Sequence, residues 1–171
     1  MLNLATQDNL KDVYKILYTY KNIFPHVRND FVKHMIDSQS VIYDSGVVII
    51  FKKYKRRTRI GNYIANKDDW VIKQIANQSL GNGNASKVIS AFIDENKHVV
   101  LSVRKNNERA IAFYKKNGFR VVGTVTWRND IDGLVMRTDV NFPSSSTHDV
   151  KVWPIMKDLA SDNDLFWNIG K

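Results

Sequence analysis

Residues 101–119 are LSVRKNNERAIAFYKKNGF. Val99, Val100, Leu101 and Val103 are strand formers, Asn106 and Asn107 suit a helix N-terminus, and Gly118 suits the position just past a helix end. Between them Ala110, Phe113 and Tyr114 recur at the spacing of one helical face, which puts a phenol on the buried side. The pattern is a strand, a polar turn and a helix closed by glycine.

Upstream, the β-rich run 70–76 leads into Gln78-Ser79-Leu80-Gly81-Asn82-Gly83-Asn84, followed by a helix through Val88, Ile89, Phe92 and Ile93. Glycines let a backbone approach a pyrophosphate, and the exposed N–H groups at a helix start, with its dipole, attract negative charge. Read alone, such a loop is equally a plain turn.

The spacing Leu101-x-Val103-x-x-x-Asn107-x-x-Ala110-x-x-x-Tyr114-x-x-x-Gly118-Phe119 resembles the second conserved block of the GCN5-related N-acetyltransferases (GNAT). Gln78-x-x-Gly81-x-Gly83, at a strand-to-helix junction upstream of it, resembles that family's first block. The resemblance implies an α/β (α+β) fold with a mixed, mostly antiparallel central sheet. Two parallel central strands would splay apart, with helices on both faces. It also implies acetyl-CoA as cofactor and direct attack of an uncharged amine on the thioester carbonyl. By the same resemblance, Ile75 and Ala76 offer a strand edge to the pantetheine arm, while Gln78, Ser79, Leu80, Gly81, Asn82, Gly83 and Asn84 cradle coenzyme A. Asn107 contacts the cofactor side, and Tyr114 sits near the sulfur, where a phenol can protonate the departing thiolate. Outside the resemblance, Tyr114 reads as a core aromatic and Asn107 as a helix cap.

The rest of the chain fits the same order of elements. Residues 2–6 suggest a short first strand, a helix starts near Asp8 or Asn9 and ends by Pro25, and a second runs from about Asn29 to Asp37. Residues 40–43 and 47–54 read as a hairpin around Asp44-Ser45-Gly46. Residues 120–127 and 134–140 read as two strands, with Asp130-Ile131-Asp132-Gly133 as their turn. One domain over residues 1–140 is expected, followed by a linker and a docked aromatic tail over 141–171 that includes Trp153 and Trp167. That tail completes an acceptor pocket, forms a homodimer interface or covers the sheet.

With no cysteine among 171 residues, disulfides, thiolate zinc sites and a cysteine nucleophile are excluded. No apolar run approaches a membrane span and the N-terminus does not read as a signal peptide, so a cytoplasmic location with no membrane partner is the expectation. His26, His34, His98 and His148 are isolated, without metal-ligand spacing. Asp68, Asp69 and Glu108 are the carboxylates nearest the candidate site in sequence, and a water chain is the other route for the amine proton.

The net charge is +9, and four aspartates against three lysines in residues 141–171 leave +10 on the remainder. A cationic run, Lys52, Lys53, Lys55, Arg56, Arg57 and Arg59, surrounds Tyr54 at a strand exit. The cations suit phosphates and Tyr54 suits base stacking, while a charged hairpin guarding a sheet edge fits as well. Three functions follow as expectations. They are an amine N-acetyltransferase, a related acyltransferase that modifies a DNA base or tRNA, and a catalytically silent member that binds nucleic acid or a partner.

Overall fold

The computed structural model describes residues 1–25 and 27–138. His26, His148 and the expected aromatic tail lie outside the described residues. Six strands form one sheet in the order β1-β2-β5-β6-β8-β7. They are β1 (Val41–Asp44), β2 (Val47–Lys53), β5 (Trp70–Asn77), β6 (Val99–Arg104), β7 (Phe119–Trp127) and β8 (Ile131–Thr138). Every neighbouring pair is antiparallel except β5 with β6. A separate two-stranded ribbon pairs β3 (Thr58–Ile60) with β4 (Tyr63–Ala65).

The alternation along β2 explains the layers. Val47, Ile49 and Phe51 join one core cluster with Val88, Ile89 and Phe92 of α3 (Asn84–Asn96) and with Ala110 and Tyr114 of α4 (Glu108–Lys116). Val48 and Ile50, on the opposite face, pack with Val13, Ile16 and Leu17 of α1 (Leu10–Thr19) and Val32 and Ile36 of α2 (Asn29–Asp37). Side chains of successive strand residues point to opposite faces, so an unbroken apolar run is a strand covered on both sides. Beyond β6 the second face is covered by the ribbon instead, where Tyr54, Ile60 and Ala65 pack on Val100, Val125 and Val135. This is the mixed, mostly antiparallel sheet with helices on both faces that the sequence leads one to expect.

Four local readings change. The expected first strand is a single bridge, Leu4 to Ile42, beside an Ala5 N–H that donates to the Val41 carbonyl at 2.9 Å. Helix α1 ends at Thr19, well before Pro25, because the chain turns at Tyr20. The β7–β8 turn is Arg128–Asp130, where Asn129 and Asp130 take positive φ of 62° and 55°, so Ile131 and Gly133 already belong to β8. Strand β3 interrupts what reads as a continuous cationic exit from β2. Its position is set at Gly61, with φ +58°, where a Cβ would come within 1.9 Å of the Thr124 carbonyl oxygen. Only glycine allows that approach. Asn62 then donates its N–H to the Thr124 carbonyl at 3.0 Å and accepts the Thr124 N–H at 2.7 Å, which pins the ribbon to β7.

Candidate active site

Strands β5 and β6 pair only at Trp70 with Val99 and Val71 with Val100. Beyond those two pairs each strand runs on without the other, and the central sheet parts. A bulge helps to open it. Ile50 opposes Gln74 and Phe51 opposes Ile72, so Lys73 is an extra residue on β5. The parted segments of β5 and β6, residues 72–77 and 101–104, contain no carboxylate.

On the α3/α4 face, Tyr114 is fully buried and packs in one cluster with Ile72 and Ile75 of β5 and Leu101 and Val103 of β6. Phe113 and Phe119 lie against its ring at centroid distances of 5.5 and 5.6 Å. The helix that carries it begins as the sequence suggests. Asn107 caps α4 by accepting the Ala110 N–H at 3.2 Å, satisfying one orphan donor of the first turn. Ile75 and Ala76 stand on β5 beyond its last pair with β6. The strand ends at Asn77, whose carbonyl accepts the Tyr20 hydroxyl at 2.6 Å.

The glycine loop follows directly. Gln78 donates its N–H to the Gly46 carbonyl at 2.9 Å, and the Ser79 and Asn84 N–H groups go to the side-chain oxygens of Asn77 and Asn82. The Asn84 side chain donates to the Ser45 carbonyl at 3.0 Å, fixing the start of α3 against the β1–β2 turn. Between these anchors, residues 78–83 are exposed, and Gly81 and Gly83 adopt φ of +81° and +78° with open space where a Cβ would stand. Among the described residues the N–H groups of Leu80, Gly81, Asn82 and Gly83 have no intramolecular acceptor. Exposed amides at the positive end of a 13-residue helix have the donors and the dipole that suit an anion.

The opposite face of the gap is walled differently. Gln74 faces the α1/α2 side with its cross-strand partner Ile50, and both its amide atoms are buried without a hydrogen-bond partner among the described residues. Ser102 and Arg104 pair with Val135 and Gly133. Those two residues of β8 share the face on which Trp127 covers Gly133, its ring about where a Gly133 Cβ would sit.

The remaining carboxylates of the sequence reading stand elsewhere. Asp69, 3% exposed, accepts both guanidinium nitrogens of Arg137 and the Asn66 N–H, at the closed end of the β5–β6 pair. Arg137 also donates to the Tyr63 hydroxyl at 2.8 Å. Burial opposes its charge, but Asp69 and Tyr63 outweigh that and push its pKa up. Asp69 is therefore a buttress of the sheet rather than a base in the gap. Asp68 is exposed and pairs with Lys53 at 3.6 Å, and Glu108 is exposed in the first turn of α4.

The cationic segment splits in two. Lys55, Arg56, Arg57 and Arg59 are exposed around the β2–β3 connection. Tyr54 is only 6% exposed, packed into the ribbon's core with Lys52 Nζ 5.5 Å from its ring centroid. It is not a stacking platform for a base. Lys53 Nζ similarly lies 5.4 Å from the Trp70 ring. Among the described residues no helix is long and apolar enough to cross a membrane.

No family model matches this sequence, and no curated protein matches it. Solved structures match the fold. An acetyltransferase of the GNAT family from Bacillus cereus superposes with a TM-score of 0.62 at 17% identity, over 81% of this chain and 96% of that one. Ard1 from Thermoplasma volcanium gives 0.61 at 19% identity, over 81% and 97%. NAA60 from Arabidopsis thaliana, solved in complex with acetyl-CoA, gives 0.60 at 14% identity, over 83% and 99%. The parted parallel strands, the glycine loop between β5 and α3, and these likenesses together establish that this chain has the fold of the GNAT acetyltransferases.

Proposed function

We propose that this protein is an acetyl-CoA-dependent N-acetyltransferase that acts by direct attack of a neutral amine on the thioester. The observation that carries the reading is the two-pair contact between β5 and β6, which leaves a strand edge unpaired beside an anion-binding loop. Coenzyme A has the matching parts in the matching order. Its pyrophosphate suits the free N–H groups of residues 80–83, and the amides of its pantetheine arm suit the β5 edge at Ile75 and Ala76. That arrangement puts the thioester in the gap, over Tyr114.

The amine nitrogen forms a bond to the thioester carbonyl carbon, and the carbonyl oxygen takes up negative charge. Backbone N–H groups of β5, released from the ladder by the splay, are suited to steady that oxyanion. Collapse breaks the carbon–sulfur bond, the Tyr114 phenol is the group suited to give the leaving thiolate a proton, and the proton shed by the acylated nitrogen passes to water, from which the phenoxide is reprotonated. Asn107 orders the first turn of α4 and so fixes where Tyr114 stands. The glycine loop from Gln78 to Gly83 and Tyr114 are the parts of this site that belong to the two motifs of the sequence.

Thiol release from acetyl-CoA, measured with a panel of amines for the wild type and Tyr114→Phe, tests the reading. Release by the wild type that falls sharply in the variant is expected, with coenzyme A binding retained in both. If neither protein binds coenzyme A, the enzyme reading fails.

A further inference from the structure

The wall of the gap on the α1/α2 and ribbon side is made of hydrogen-bond donors. Val71 and Val100 mark the last pair of β5 and β6, and two residues on, the strands carry Lys73 and Ser102. Ser102 and Val135 are directly opposed and Val135 packs in the ribbon's cluster, so Ser102 points to that face; Arg104, two residues further, points the same way. On β5, Lys73 is the extra residue of the bulge. The bulge then keeps Gln74 on this side as well, opposite Ile50.

Lys73 is 8% and Ser102 7% exposed, so both are buried polar residues rather than open surface. Among the described residues the Ser102 hydroxyl makes no hydrogen bond and Arg104 makes no ion pair. Trp127 lays the outer edge of its six-membered ring over Gly133, the cross-strand partner of Arg104, and its buried Nε1 has no acceptor among the described residues. A buried donor without an acceptor is disfavoured unless a ligand or water supplies one. No carboxylate stands on these parts of β5 and β6. The nearest in sequence on β8, Asp132, accepts the Thr126 hydroxyl.

We infer that this side of the gap selects an acceptor amine that also carries an oxyanion, held by Arg104 and Ser102 of β6, with Lys73 on the facing strand β5. The inference rests on the acyl-transfer reading and adds the substrate class to it. A guanidinium with a hydroxyl beside it matches the two oxygens of a carboxylate, and phosphate shares that chemistry. The same cations repel an acceptor with a second positive charge. The +10 on residues 1–140 draws small anions toward the molecule as a whole.

The test compares matched acceptors by thiol release. The pairs are glycine against glycinamide and phosphoethanolamine against ethanolamine, with 1,4-diaminobutane as the cationic control. The wild type should favour the charged member of at least one pair by tenfold or more in kcat/KM, and Arg104→Met should bring that ratio close to one. Which pair responds identifies carboxylate or phosphate. Equal use of both members in both pairs, preference for the diamine, or a wild-type ratio unchanged in Arg104→Met overturns the inference. A binding arm separates it from the acyl-transfer reading. N-acetylglycine should raise the melting temperature of the wild type more than N-acetylglycinamide does, and Arg104→Met should lose the difference. If thiol release is absent but this difference is present, the acyl-transfer reading fails and the oxyanion site stands. If release occurs without the difference, the reverse holds.

Discussion

Replacing Tyr114 by Phe removes one oxygen from a fully buried ring and leaves its packing on Phe113 and Phe119 intact. If the phenol is the acid, thiol release should fall roughly 10²–10⁴-fold, the usual worth of a positioned proton donor. A drop of less than threefold would return Tyr114 to the role of a core aromatic. Gln74 has the opposite expectation. Its amide is buried with both polar atoms unpaired among the described residues, and such a group costs about 1–3 kcal/mol, so Gln74→Met should raise stability by about 1 kcal/mol, read as a higher urea midpoint. A lower midpoint would mean the amide is satisfied by bound water. The sequence did not single out Gln74, and the reason is the bulge. Strict alternation would put residue 74 on the face of Ile72, and one extra residue at Lys73 turns it to the face of Ile50. Tyr54 misleads in the other direction, since cations on both sides of it suggest exposure while the ribbon buries it.

At the scale of elements, the helices and the six sheet strands follow from local signals. Residues 101–119 carry alternation, a capping Asn and a closing Gly in one short stretch, and all three are realised in β6 and α4. Strand β3 is different because its pairing depends on Gly61 meeting Thr124, a contact far apart in sequence. Gly61→Ala would force the Thr124 and Val125 backbone aside and should cost about 3 kcal/mol, the upper part of the usual range for local backbone strain. Trypsin should then cut faster at Lys55, Arg56 and Arg57. Unchanged cleavage and an unchanged urea midpoint would show that the ribbon does not need the contact.

The absence of carboxylates from the parted segments of β5 and β6 also has a consequence at this scale. With no base built into the wall, the acceptor must shed its own proton, so kcat/KM should rise tenfold per pH unit up to the acceptor's pKa and then level. The rising limb should move by about 2.4 units between an α-amine, near 8, and a lysine-like amine, near 10.4. A limb fixed at one pH for both acceptors would reveal a base on the protein.

At the scale of the whole molecule, the topology and the parting of two central strands were implied by the order of elements and the two motifs, while the residue at which the ladder stops was not. No residue of β5 announces that its ladder stops at Val71, because pairing is a property of two strands and the packing beneath them. That short ladder divides the sheet into two half-sheets, β1-β2-β5 and β6-β8-β7. Buried amides of the two blocks should differ in hydrogen-exchange protection, with fast exchange at those amides of residues 72–77 that face the gap rather than β2. A cofactor whose own amides fill the gap would stabilise the fold by about 2.7 kcal/mol at a hundred times its Kd. Acetyl-CoA should therefore slow exchange on both sides, and failure to slow it along β5 would place the ligand elsewhere. In a cell the same linkage makes the supply of acetyl-CoA a determinant of how long the chain survives proteolysis, so its abundance would track the metabolic state that feeds its reaction.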